Sequence, residues 1–207
     1  MTPLDKLIAY FEKFPGIGGR QAKRFAFHIL TLKKEQLDEL ASLITSLPQS
    51  VSECVACHRF FSLPRQSSSG LCPVCSDSSR DRSKLLVVSR DVDIQAIERS
   101  GVYDGLYFVL GGTVPLLTTT DTNSRLRTPA FRALIADKLN EGLKEVIFAF
   151  AINPDGENTT RYMENVLKDI PNASIITTSS LGRGLSTGSE LEYADSETIK
   201  NALRNRH

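Results

Sequence analysis

Apolar residues recur at helical spacing in two stripes near the amino end. Leu4, Leu7, Ile8, Phe11 and Phe14 make the first, Pro15-Gly16-Ile17-Gly18-Gly19 interrupts it, and Ala22, Phe25, Ala26, Ile29 and Leu30 resume it. The pattern predicts helix, tight glycine turn, helix. A third helix is expected from Lys34 to Ser46, with Leu37, Leu40, Ala41 and Ile44 on one face and Pro48 closing it. Residues 53–82 carry neither helical nor strand periodicity, so something other than an apolar core must organise them.

From Lys84 the period alternates. Strands are expected at Leu85–Val88, Leu106–Leu110, Glu145–Ala151 and Ser174–Thr178, and helices at about Val92–Ser100, Pro129–Asn140 and Thr159–Lys168. That order implies right-handed crossovers and a mostly parallel sheet. A last short helix is expected from Asp195 to about Arg206. The chain is therefore read as α/β and multidomain: a helical hairpin module (1–52), a small cysteine module (53–82), an α/β domain (83–178) and a helical tail (179–207).

A length of 207 residues permits one substantial core plus small modules. Apolar residues are 41% and charged residues 24%, ordinary for a globular protein and unlike a disordered or membrane chain. No apolar run is long enough for a signal peptide or a membrane span, so a cytoplasmic location is expected. The net charge of +1 does not point to nucleic acid. The average conceals a local excess: seven Lys or Arg stand against Asp5 and Glu12 between Met1 and Lys34. Such an excess attracts phosphate backbones through counterion release, although a solvated helix face has the same composition.

The hairpin gives that charge a geometry. Gly16, Gly18 and Gly19 allow the backbone to turn sharply and approach a ligand with no Cβ in the way, and Ile17 is placed to plug the core. Amides opening the second helix carry partial positive charge, with Arg20, Lys23 and Arg24 close by. Contacts of this kind are blind to base sequence. The string Phe14-Pro15-Gly16-Ile17-Gly18, followed by basic residues and Ala22, resembles the helix-hairpin-helix motif of DNA repair proteins. An ordinary hairpin whose glycines serve only the turn is the other reading.

Cys54-x-x-Cys57 and Cys72-x-x-Cys75, fourteen residues apart, form two knuckles that suit one tetrahedral zinc ion. Four thiolates leave no position for water, so this zinc is expected to fold the segment. A pair of disulfides is disfavoured by a reducing compartment, and a redox pair by the missing thioredoxin-like unit. His58 adjoins Cys57 but is not needed as a ligand.

Several further strings carry a resemblance over nearly the whole chain. Arg80-Asp81, Leu85-Leu86-Val87-Val88, Asp93, Ala96-Ile97-Glu98, Gly105-Leu106-Tyr107 and Val109-Leu110-Gly111-Gly112 resemble the opening of the Toprim domain of the bacterial RecR family. Glu145-Val146-Ile147, Gly156-Glu157 and Thr159 resemble its middle, and Leu191-Glu192-Tyr193-Ala194-Asp195 its end. Arg20 and Arg24 match basic positions that the hairpin uses in this family, and Lys23 matches less well.

The resemblance implies a non-catalytic DNA-binding recombination mediator or clamp in recombinational repair. It would bind double-stranded and gapped DNA without sequence preference and act with RecO, RecF or both to help load recombinase. It would assemble as a homo-oligomer, a ring-shaped dimer of dimers, through a tail that interlocks subunits. Toprim enzymes place one acid after the first strand and an Asp-x-Asp after a later one, to bind magnesium. Those positions fall here on Ser89, Ala151 and Asn153. A magnesium-dependent nuclease or primase is the alternative, and it would have to use Asp93, Asp155 and Glu157. RecR proteins usually keep the first acid, so Ser89 departs from the family. The segment 113–128 departs as well, with Thr113-Val114-Pro115-Leu116-Leu117-Thr118 in place of a Gly/Pro-rich loop. Gly182-Arg183-Gly184-Leu185-Ser186 lacks the ending of a nucleotide-binding loop.

Overall fold

A computed structural model describes residues 1–62, 70–116, 126–182, 196 and 198–200. The chain divides into two compact units, Met1–Ser52 and Glu53–His207.

The first unit contains helices α1 (Pro3–Phe11), α2 (Gly19–Ile29) and α3 (Lys34–Ser50). Thr2 and Asp5 make a capping box that starts α1, the Thr2 hydroxyl accepting from the Asp5 amide at 3.2 Å and Asp5 accepting the Thr2 amide at 2.8 Å. The two hairpin helices pack through the buried methyls of Ala22 and Ala26 and through Phe11, whose ring meets Phe14 at 5.7 Å and Phe25 at 5.9 Å, both edge to face. Helix α3 runs past Pro48 to Ser50, where the sequence pattern ended it at Ser46. The proline removes only the bond its own amide would have donated to the Ile44 carbonyl, and the helix still closes with the Val51 amide bonded to the Leu47 carbonyl.

Strand β1 (Val51–Glu53), at the boundary of the two units, pairs with β2 (Phe60–Ser62) around the first knuckle, and in the second unit the short α4 (Pro73–Ser76) carries the second knuckle. Strands β3 (Asp81–Val88), β4 (Gly105–Val109), β5 (Glu145–Ala149) and β6 (Thr177–Ser180) form one sheet in the order β4-β3-β5-β6, every pair parallel. Helices α5 (Asp91–Ser100), α6 (Thr128–Asn140) and α7 (Pro154–Lys168) connect them. The end of β3 and all of β4 are buried on both faces, and alternation along β3 divides the core. Leu85 and Val87 join Phe108, Phe131, Ile135 and Met163 on one side. Leu86 and Val88 join Tyr107, Val109, Ile94 and three of the cysteines on the other.

Two boundaries moved for identifiable reasons. Helix α7 begins at Pro154 and not near Thr159, because the Asn153 side chain accepts the Gly156 amide at 2.8 Å and Pro154 is preset for the first helical position. Strand β6 begins at Thr177, because Ala173–Ile175 turn as a 3-10 helix after Asn172, at φ 64°. Ser196 and Thr198–Lys200 are helical. The rest of the expected tail helix, Gly184 and Gly188, and residues 117–125 of the variant loop lie outside the described residues.

Candidate nucleic-acid interface and metal centre

The hairpin turn is closed by main-chain bonds from Phe14 to Phe11 and from Ile17 to Phe14, each 3.0 Å. Gly16 sits at φ 77°, a conformation that a side chain disfavours. Gly18 is the N-cap of α2 and supplies no side chain to the amides behind it. Gly19 fits tightly, since a Cβ there would lie 2.9 Å from a Glu12 carboxylate oxygen. Ile17 is half-buried, while Arg20, Lys23 and Arg24 are exposed. No ion pair among the described residues engages these three cations. The turn therefore offers uncapped amides and guanidinium groups together, a combination suited to phosphate.

Cys54, Cys57, Cys72 and Cys75 bring their sulfur atoms within 4.8 Å of one another, and no other His, Cys, Asp or Glu group among the described residues is assembled for a metal. Cys57 and Cys72 are 3.6 Å apart, far beyond a disulfide bond. That spacing agrees with the edge of about 3.8 Å set by four Zn–S bonds of about 2.3 Å. The Cys72 amide also donates to the Cys54 sulfur at 3.3 Å, as it would to a thiolate. Without an ion the thiols compete for protons: the bond from Cys57 pushes Cys54 down, and the same bond pushes Cys57 up. A divalent cation accommodates all four as thiolates, so the set fits one.

His58 takes no part in that cluster. Its Nδ1 lies 2.7 Å from the Glu53 carboxylate, which also pairs with Arg127 at 3.1 Å. Its positive φ of 61° is set by the knuckle turn, where the His58 amide bonds the Cys54 carbonyl at 2.9 Å. The first knuckle is tied to the sheet edge, where the Val109 amide donates to the Cys57 carbonyl at 2.9 Å.

At the carboxyl ends of β3 and β5, the three positions that Toprim enzymes reserve for acids have other tasks. Ser89 donates to Asp93, Asn153 caps α7, and the Ala151 carbonyl lies where a Cβ on residue 156 would come to 1.9 Å, so Gly156 has no substitute. Asp93 is occupied by Ser89 and by the Arg90 amide at 2.9 Å. Asp155 accepts the Leu116 amide at 3.0 Å.

Sequence reading missed two networks. Arg80 forms a two-point ion pair with Glu98 at 2.9 and 2.5 Å, and the Tyr107 hydroxyl donates to the same carboxylate at 2.6 Å. Arg80 holds the Glu98 carboxyl below its ordinary range, and burial pushes the Tyr107 hydroxyl up. Asp91 accepts the Phe60 amide and pins β2 to the start of α5. No periodic signal marks such partners.

Comparison with known proteins adds a further observation. Residues 4–47 match the family model described as RecR, helix-hairpin-helix, residues 83–176 that of the Toprim domain, and residues 184–207 that of RecR, C-terminal. The chain is 34% identical over 206 residues to the recombination protein RecR of Streptococcus thermophilus, covering 99% of this chain and 96% of that protein. The same identity and coverage hold over 205 residues for the recombination proteins RecR of Mycobacterium leprae and Lactococcus lactis.

Proposed function

The chain belongs to the RecR family of recombination proteins, and from that premise we propose that it is a non-catalytic, DNA-binding mediator or clamp in recombinational repair. The observation that carries the reading is the hairpin, where Arg20 and Arg24 stand exposed and without ion pairs beside uncapped helix amides. Gly16, Gly18 and Gly19 bring backbone to phosphate, and Lys23 adds charge nearby. Such a surface binds double-stranded and gapped DNA without reading bases.

The four cysteines hold zinc in this reading, because sulfur-only tetrahedral donors favour it. Family membership further supports assembly into a ring-shaped dimer of dimers and action with RecO, RecF or both in the cytoplasm. Division into the four segments 1–52, 53–82, 83–178 and 179–207 belongs to the same proposal. A magnesium-dependent nuclease or primase is disfavoured by Ser89, Ala151 and Asn153, each of which serves the local fold.

Binding of the zinc-loaded protein to gapped duplex DNA across a salt series tests the reading, with solution mass recorded alongside. Arg20→Ala/Arg24→Ala should weaken binding and reduce the slope of log K against log salt by about 2. Unchanged binding in that variant would move function away from the hairpin.

A further inference from the structure

Strand β2, the second knuckle and α5 enclose an open groove of about 740 Å³, whose walls include Arg59, Phe60, Val74, Gln95, Glu98 and Arg99. Its charge is simpler than its composition. Glu98 is the only acid among the described residues of the wall, and Arg80 and Tyr107 already bond both of its oxygens. Arg99 makes no ion pair with any described residue; its Nε bonds only the Gln95 carbonyl, at 3.1 Å. Arg59 lies 3.9 Å from Asp91, too far for a hydrogen bond, and its buried Nε has no hydrogen-bond partner. Arg99 therefore borders the groove without an ion pair among the described residues, while Arg59, mostly buried, pairs with Asp91 at long range and keeps an unbonded Nε.

The same groove is lined by an exposed aromatic ring. Phe60 is 55% exposed while its neighbour Phe61 is buried. Exposed single aromatics are common, but the backbone of this one sits on a strand paired to β1 and is pinned by the Asp91 carboxylate, so little backbone order must be created when a flat ligand stacks on it. Cations bordering an exposed ring on an anchored backbone in an open groove form a binding surface for unpaired nucleotides, where phosphates meet arginines and bases meet the ring. Duplex DNA, whose bases are stacked on each other, cannot use the ring.

We propose that this groove binds single-stranded nucleic acid, with the backbone crossing Arg59 and Arg99 and a base stacked on Phe60. The inference rests on the nucleic-acid reading above and extends it to a second surface, in the Glu53–His207 unit. An acidic peptide would answer the same charges. It would not require a π-face, so the ring separates the two ligands.

The test is fluorescence anisotropy with a labelled oligothymidylate of roughly a dozen nucleotides, using zinc-loaded full chain checked by circular dichroism and metal content. Variants are Phe60→Leu, Phe60→Tyr and Arg99→Gln, each also placed in the Arg20→Ala/Arg24→Ala background. Phe60→Leu should raise Kd roughly fivefold to a hundredfold, whereas Phe60→Tyr should stay within about twofold because the ring face persists. Arg99→Gln should lower the salt slope by about 0.7. Single-strand affinity unmoved by Phe60→Leu and Arg99→Gln overturns the proposal. So does a poly-glutamate peptide that displaces the oligonucleotide and binds Phe60→Leu as well as the original chain. Should the hairpin substitutions leave duplex binding intact while Phe60→Leu still abolishes single-strand binding, the hairpin reading fails and this one stands.

Discussion

The Ser89 hydroxyl donates to the Asp93 carboxylate at 2.9 Å, at the end of the first strand of the Toprim sheet, with Ser89 only 8% exposed. The same carboxylate oxygen accepts the Arg90 amide. The position that the sequence matches to a Toprim acid is thus spent on holding Asp93, whose carboxylate caps α5 through the Arg90 amide.

Ser89→Ala should cost about 1–2 kcal/mol in urea unfolding, the worth of a hydrogen bond to a charged group. Ser89→Glu should cost more at pH 7, because it sets a second carboxylate against Asp93 in a nearly sealed site. Equal stability of Ser89→Glu and the original chain at pH 7 would refute the capping account.

Gly156→Ala should be among the most damaging single-methyl additions in the protein. The new Cβ would lie 1.9 Å from the Ala151 carbonyl oxygen, which is backbone and cannot swing away. Relief requires α7 to shift from β5 or its first turn to unwind, and we expect a loss of about 3 kcal/mol or more in thermal or urea unfolding, in the range of severe overpacking. Gly18→Ala, where the added Cβ meets nothing within 4 Å, is the control and should change stability little.

Metal removal should loosen the sheet edge as well as the knuckles. Cys54, Cys57 and Cys72 are buried in one cluster with Leu86, Val88, Tyr107 and Val109, and the Val109 amide bonds the Cys57 carbonyl. On chelation the Val109 amide should exchange with solvent much faster, and near-ultraviolet dichroism from Tyr103 and Tyr107 should fall. Amides in the interior of α2 should be unaffected. Unchanged Val109 exchange after full metal loss would show that the edge is held independently.

Glu98→Gln should lower stability at pH 7 by about 2 kcal/mol, because it leaves the Arg80 guanidinium without its charged partner in a site that is largely buried. The folded carboxyl titrates below its ordinary value, chiefly because of Arg80. Its contribution is therefore present above about pH 4.3, the unfolded value, and is lost as pH falls through the depressed folded value. The gap between the two proteins in urea unfolding should close toward pH 3. A gap that stays constant from pH 7 to pH 3 would rule out the ion pair as its source.

Much of this protein was written locally. The apolar stripes and the Pro15–Gly19 interruption determined the hairpin, because helical period and glycine's access to positive φ are properties of neighbouring residues. Paired Cys-x-x-Cys spacing determined a four-sulfur cluster, since a knuckle closes over four residues. Alternating strand and helix patterns determined a parallel sheet, whose central strand β3 ends in the apolar run Leu85–Val88. Only the tertiary structure decided that the cysteine module covers one face of that sheet, that Glu98 answers Arg80 across 18 positions, and that Asp91 pins Phe60 across 31. These partners are distant in sequence and single in number, so they leave no period to read. They are chosen by which groups the packed core brings within hydrogen-bond reach.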